Sequence, residues 1–215
     1  MTEFKFCGLT RPEDALTAGQ LGASYIGVIF ADGPRRLTIQ RARTVLDGCV
    51  SSAKRVGVFA RSSPNEIAKT AREAKLDIVQ LHGDPTAADV MAVRAATGAG
   101  VWAVMRVEDS LPSEAESLFD SADAVVLDAK VGGALGGTGV TISWTSIARQ
   151  VAAVRHGRSL VLAGGLRPDN VATAIEVLAP DVLDVSSGVE SAPGIKDHAR
   201  MRAFAAAAAG RVEKQ

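Results

Sequence analysis

Eight short apolar runs alternate with longer helical patterns along the whole of this chain, and that rhythm limits the folds open to it. The runs are "FKFCG" (4–8), "YIGVIF" (25–30), "KRVGVF" (54–59), "DIVQL" (77–81), "VWAVMR" (101–106), "AVVLDA" (124–129), "SLVLAG" (159–164) and "VLDVSS" (182–187). They are rich in Val and Ile and nearly continuous in apolarity. Parallel strands covered on both faces read this way.

The segments between them carry helix signals. "TRPEDALTAGQLGA" predicts a helix capped by Thr10, with Pro12 in its first turn and a Gly-rich end. "SSPNEIAKTAREAK" begins with Ser63 ahead of Pro64, and "LRPDNVATAIEVLAP" has Pro168 early and Pro180 past its end. A short helix around "LPSEAESLF" precedes the sixth strand, and residues 196–210 finish in an alanine-rich helix.

Eight strands and eight helical segments predict an α/β protein, a single-domain (β/α)8 TIM barrel spanning 1–215. An open doubly wound sheet is the alternative. It needs fewer strands and usually a glycine fingerprint after the first, and "CGLTRPED" is not G-x-G-x-x-G.

Charge and cysteine content narrow the function. Acidic and basic residues balance at 24 each, without the basic excess of a nucleic-acid binder. No apolar run approaches the roughly 18 residues of a membrane span. The N-terminus enters a strand directly, without a leader pattern. The two cysteines, Cys7 and Cys49, lack metal-ligand spacing. Free thiols in a reducing cytoplasm, with no bound metal, are the expectation.

In a barrel, reactive groups sit at the C-terminal ends of strands. The first strand ends in Cys7 and the second leads to "ADGPRRLT", with Arg35 and Arg36. The fourth ends in Gln80 and His82, the fifth in Arg106 and the sixth in Asp128. The last two lead to "AGGL" and "DVSSGVES". Gly164 and Gly165 let backbone N–H groups approach an oxyanion without a Cβ in the way. Ser186, Ser187 and Gly188 add hydroxyls and an extra helical turn. Each motif alone is an ordinary turn. Together, at the last two strand exits, they favour a phosphate.

Cys7 and Asp128 would point into one mouth from opposite sides, as a base and acid pair. The alternatives are a core thiol and a capping carboxylate. Arg36 suits a carboxylate or phosphate. His82 reads as structural and Lys5 as a buried, paired amine. "GGALGGTG" (132–139) is a loop that could close over a substrate.

These residues resemble the phosphoribosylanthranilate isomerase family of tryptophan biosynthesis. The resemblance runs through "FKFCGLTRPEDA", "RVGVF", "VQLHG", "VLDAK", "GGTG", "LAGGLRPDNV" and "DVSSGVESAPGIKD". It implies a cofactor-free barrel that carries out an Amadori rearrangement of a small phosphosugar, as a monomer or homodimer with no nucleic-acid or membrane partner. It implies Cys7 as general base, Asp128 as general acid and Arg36, or its neighbour Arg35, at the anthranilate carboxylate. It also implies phosphate contacts from Gly164, Gly165 and Ser186–Gly188. The family's Thr-Phe-Asp-Trp is replaced here by "TISW" (141–144).

A protonated aspartate beside a thiolate is a minor state by roughly 6 kcal/mol at reference pKa values. Burial around Asp128 and a positive field around Cys7 are expected to supply much of the shift. Three rivals stand beside this reading. The sister isomerase of histidine biosynthesis would use an aspartate where Cys7 stands. A Schiff-base lyase would use Lys5 or Lys130. A phosphosugar-binding protein would keep the loops without turnover.

Overall fold

The computed structural model describes residues 2–107, 110–129 and 144–210. Its centre is a closed barrel of parallel strands in sequential order. These are β1 (Glu3–Phe6), β2 (Tyr25–Ile29), β3 (Lys54–Phe59), β4 (Ile78–Leu81), β5 (Gly100–Val107), β6 (Ala124–Ala129), β7 (Ser159–Ala163) and β8 (Val182–Val185). β1 pairs with both β2 and β8, which closes the ring. Helices α1 (Pro12–Gln20), α2 (Ile39–Asp47), α3 (Pro64–Ala74), α4 (Ala87–Thr97), α5 (Ala115–Ser121), α6 (Trp144–Val154), α7 (Val171–Leu178) and α8 (His198–Ala208) follow the strands in turn. The expected barrel is the observed one.

Strand periodicity sorts side chains to two faces. Outward residues such as Phe6, Val79, Ala103, Leu127 and Leu183 join helix residues in one large apolar cluster. Phe6 packs on Phe204 of α8 with ring centroids 6.1 Å apart. Alternate positions on β3 through β8 form a separate inner cluster of Val56, Ile78, Trp102, Val104, Ala124, Val126, Val161 and Val182. Strands β3 through β8 therefore carry apolar residues on both faces, which explains their nearly continuous apolar reading.

Local chemistry sets the helix starts. Ser63 opens α3 in a capping box with Glu66, as its place before Pro64 predicts. Thr10 does not cap α1. The N-cap is Arg11, which makes no side-chain cap bond. Thr10 Oγ1 instead donates to the Gly194 carbonyl at 2.5 Å. A tertiary acceptor took the hydroxyl from its local role. That acceptor belongs to a hairpin the sequence did not announce, β9 (Glu190–Ala192) with β10 (Ile195–Lys196). It follows a 3₁₀ turn at Ser187–Val189, the extra helical turn anticipated there.

Candidate active site

A cavity of about 320 Å³ opens at the C-terminal end of the barrel. Cys7, Gln80, His82, Asp128, Gly164, Gly165, Asp184, Ser186, Ser187 and Gly188 all line it. The strand ends thus bring Cys7 and Asp128, remote in sequence, to one space with the two glycine-bearing loops.

The loops are built for close backbone approach. Gly164 and Gly165 have φ of +88° and +66°, which side chains disfavour. A Cβ on Gly188 would sit 1.9 Å from the Leu166 carbonyl oxygen, so the loops after β7 and β8 touch through a position only glycine fits. Behind them, Lys196 Nζ donates to the Ser186 carbonyl at 3.0 Å and to Glu190 Oε1 at 2.8 Å. Arg35 grips the same carboxylate with two bonds, 2.8 and 2.6 Å. Two cations face one anion, leaving positive charge beside the serine loop. Burial alone would raise the Glu190 carboxyl, but hydrogen bonds from Arg35 and Lys196 outweigh it and hold it at about 2.

This pairing separates the two neighbouring arginines. Arg35 is engaged with Glu190. Arg36 stays at the rim, 60% exposed, bonded at 2.5 Å to Asp32, which lines the cavity. Asp32 is itself exposed, so the guanidinium is anchored to a solvated carboxylate, and Arg36 reaches the cavity only through that partner.

Cys7 sits on a buried polar cluster. Lys5 Nζ donates to Gln80 Oε1 at 2.6 Å, to Asp184 Oδ2 at 2.8 Å and to Cys7 Sγ at 3.3 Å. It also lies 5.7 Å from the Trp102 ring centre, within cation–π range. Burial works against the ammonium, yet Asp184 and Cys7 overcome it and the Lys5 pKa rises. A lysine held as ammonium is a poor nucleophile, which removes the observation a Schiff-base role for Lys5 would need. Lys130, the 132–139 loop and positions 141–143 lie outside the described residues.

The expected field around Cys7 does not prevail. Burial and the Asp184 charge push the thiol pKa up, against Lys5 and Lys196, which pull it down. The cation that would favour a thiolate arrives paired with an anion, and removal from water costs more than the remainder returns. Nor is Asp128 enclosed as expected. It is a quarter exposed, with Nε2 of His82 3.8 Å from its Oδ2. His82 therefore belongs to the cavity wall rather than to the fold alone.

A family model described as N-(5'-phosphoribosyl)anthranilate (PRA) isomerase matches residues 4–207. The chain belongs to this isomerase family. Relatives named N-(5'-phosphoribosyl)anthranilate isomerase include one from Geobacter sulfurreducens, 41% identical with 98% of this chain and 100% of that protein covered. Another, from Pseudomonas fluorescens, is 40% identical with 93% and 95% covered. Among solved structures, the Thermotoga maritima phosphoribosyl anthranilate isomerase is 33% identical at a TM-score of 0.83, covering 98% of this chain and 100% of that one. A second isomerase structure holds reduced 1-(o-carboxyphenylamino)-1-deoxyribulose 5-phosphate and is 31% identical, with the same score and coverage.

Two groups of this isomerase fold were not assigned a role from sequence. Gln80 was named only as the end of the fourth strand, and Asp184 stood as a letter in "DVSSGVES". Their signal was a polar residue flanked by apolar ones on a strand buried on both faces. Such a residue needs a partner across the barrel.

Proposed function

We propose that this chain isomerises N-(5'-phosphoribosyl)anthranilate to 1-(2-carboxyphenylamino)-1-deoxyribulose 5-phosphate, a step of tryptophan biosynthesis, in the cytoplasm and as a single catalytic domain. The observation that carries the reading is the common cavity of Cys7, Asp128 and the loops at 164–165 and 186–188. The phosphate rests on the backbone N–H groups of those loops, in the positive field of Arg35 and Lys196. Arg36 meets the anthranilate carboxylate at the rim.

Asp128, as the acid, gives its proton to the furanose ring oxygen. The C1–O bond breaks, and the anthranilate nitrogen supplies the electron pair for a C1=N Schiff base. Cys7, as thiolate, takes the C2 proton, and the C2–H electrons form C1=C2 while the nitrogen recovers its pair. The enol hydroxyl at C2 then becomes the ketone as C1 gains a proton, so no electron leaves or enters. Asp184 Oδ1, buried on the wall of this cavity without a hydrogen-bond partner among the described residues, is the acceptor for a sugar hydroxyl. Because burial raises the thiol, the thiolate form is a minority species, and its intrinsic reactivity carries the turnover.

The test is the fluorescence change on anthranilate conversion, with Cys7→Ser and Asp128→Asn beside the parent and the histidine-pathway aminoaldose as second substrate. Each variant should lose at least ~10³-fold in kcat. Unchanged turnover in either removes that residue from its role, and preference for the second substrate replaces the proposed one.

A further inference from the structure

Among the described residues, Lys5 is a fully buried cation that the chemistry above does not use. We infer that Lys5 is the positioning residue for the Cys7 sulfur: clamped between Asp184 and Gln80, its ammonium fixes the sulfur's place and supplies the charge against which a thiolate forms. This rests on the reading of Cys7 as the base.

The geometry supports it in three ways. First, Lys5 has three N–H donors, and three acceptors meet them, Gln80 Oε1, Asp184 Oδ2 and Cys7 Sγ. A neutral thiol is a weak acceptor and a thiolate a strong one, so the third bond strengthens when Cys7 loses its proton. Second, room for Lys5 has been made. A Cβ on Gly27 of β2 would meet Lys5 Cε at 2.8 Å and Cys7 Sγ at 3.1 Å. A side chain there would push the two groups aside. Third, a buried Lys–Asp pair in a barrel interior is no better for stability than apolar packing. Its place on the wall of the cavity, beside Cys7, points to another use.

The charged groups around the sulfur come from several elements. Lys5 lies on β1, Asp184 on β8 and Lys196 on β10, with Arg35 on the same Glu190 carboxylate as Lys196. Asp128 and His82 complete the cavity wall. Asp184 opposes the thiolate, while Lys5 favours it more strongly than Lys196 does. Loss of the Lys5 charge therefore suppresses thiolate formation, and Lys196 does not replace it.

A Cys49→Ser background leaves Cys7 as the sole thiol. In it, iodoacetamide alkylation is followed against pH, with and without Lys5→Met. The substitution should slow alkylation at pH 8 about tenfold or more, and move the alkylation midpoint and the base limb of kcat/KM to higher pH. KM should change less than threefold. A folded Lys5→Met protein with parental alkylation and kcat overturns the inference. The second measurement needs no change at Lys5. The ¹³Cε resonance of Lys5 should titrate with the alkylation midpoint and lose that transition in Cys7→Ser. A flat resonance across the midpoint overturns the inference even where Lys5→Met does not fold. Cys7→Ser turnover at the parental rate would instead break the underlying base assignment.

Discussion

At the N-terminal end of the barrel, Asp77, Asp123 and Asp181 each accept the backbone N–H of the second residue of an earlier strand. The donors are Arg55, Val101 and Leu160, all at 2.7 Å. Arg94 and Arg155 pair with Asp123 and Asp181 as well. At the opposite end, Asp184 keeps one oxygen without a partner among the described residues, and Asp128 has His82 3.8 Å away. One residue type thus does two jobs. Where the backbone holds a carboxylate, it fixes strand register and has little left to offer a ligand. At the mouth, carboxylates retain acceptor capacity, which suits the substrate-binding role proposed for them.

Between these extremes lies Glu190, which faces the mouth's cations but is as fully bonded as a floor aspartate. Glu190→Gln would leave Arg35 and Lys196 with no anion between them, at a cost of about 3 kcal/mol at pH 7. The sign of the pH dependence follows from its depressed carboxyl, at about 2 against an ordinary 4.5. That contribution is complete above pH 4.5 and is lost as pH falls toward 2. Urea unfolding of parent and variant should therefore differ most near neutrality and converge in acid. A gap that stayed constant with pH would mean that Glu190 stabilises by shape instead of charge.

A smaller effect should come from Gly27, where the mouth's polar cluster meets its neighbouring strand. Gly27→Ala places a methyl within 2.8 Å of Lys5 Cε, whose ammonium is pinned at three points. Overpacking of about 1–3 kcal/mol is expected, with slower alkylation of Cys7 as Lys5 is displaced. Thermal unfolding and alkylation together check it. Lost stability with parental thiol reactivity would show that the sulfur is held without Lys5.

How far the sequence carried this comparison depends on the distance over which residues meet. The strands fell within one or two residues of their places, because continuous apolar runs reflect burial on both faces. Gly188 and its neighbours were legible as a loop, since glycine and serine advertise backbone needs locally. Asp128 and Cys7 were legible as strand exits facing one mouth. Lys5 was legible as a buried, paired amine, but its partners were not, because Gln80 lies 75 residues from Lys5 and Asp184 lies 179 away. Periodicity states which face Lys5 takes, not which side chains it finds across a closed ring. The raised Cys7 thiol was missed for the same reason. A positive field was foreseen from type of site, whereas Asp184, its opponent, becomes visible only in three dimensions.

The smallest predicted effect tests whether the two ends are independent. Ile78 and Gln80 stand two positions apart on β4, so they share a face. Ile78 lies in the inner apolar cluster and Gln80 in the bond to Lys5. Ile78→Val removes one methylene and keeps the β-branch, so the strand rotamer is retained. Hydrogen-bonded pairing with β3 and β5 on either side holds the backbone of both residues in register. The loss should remain local, about 0.5–1.5 kcal/mol of stability, with kcat and Cys7 alkylation at parental values. If kcat moved more than about threefold, the apolar layer would be setting the position of Gln80 through packing. The polar cluster would then rest on the floor beneath it rather than on its own hydrogen bonds.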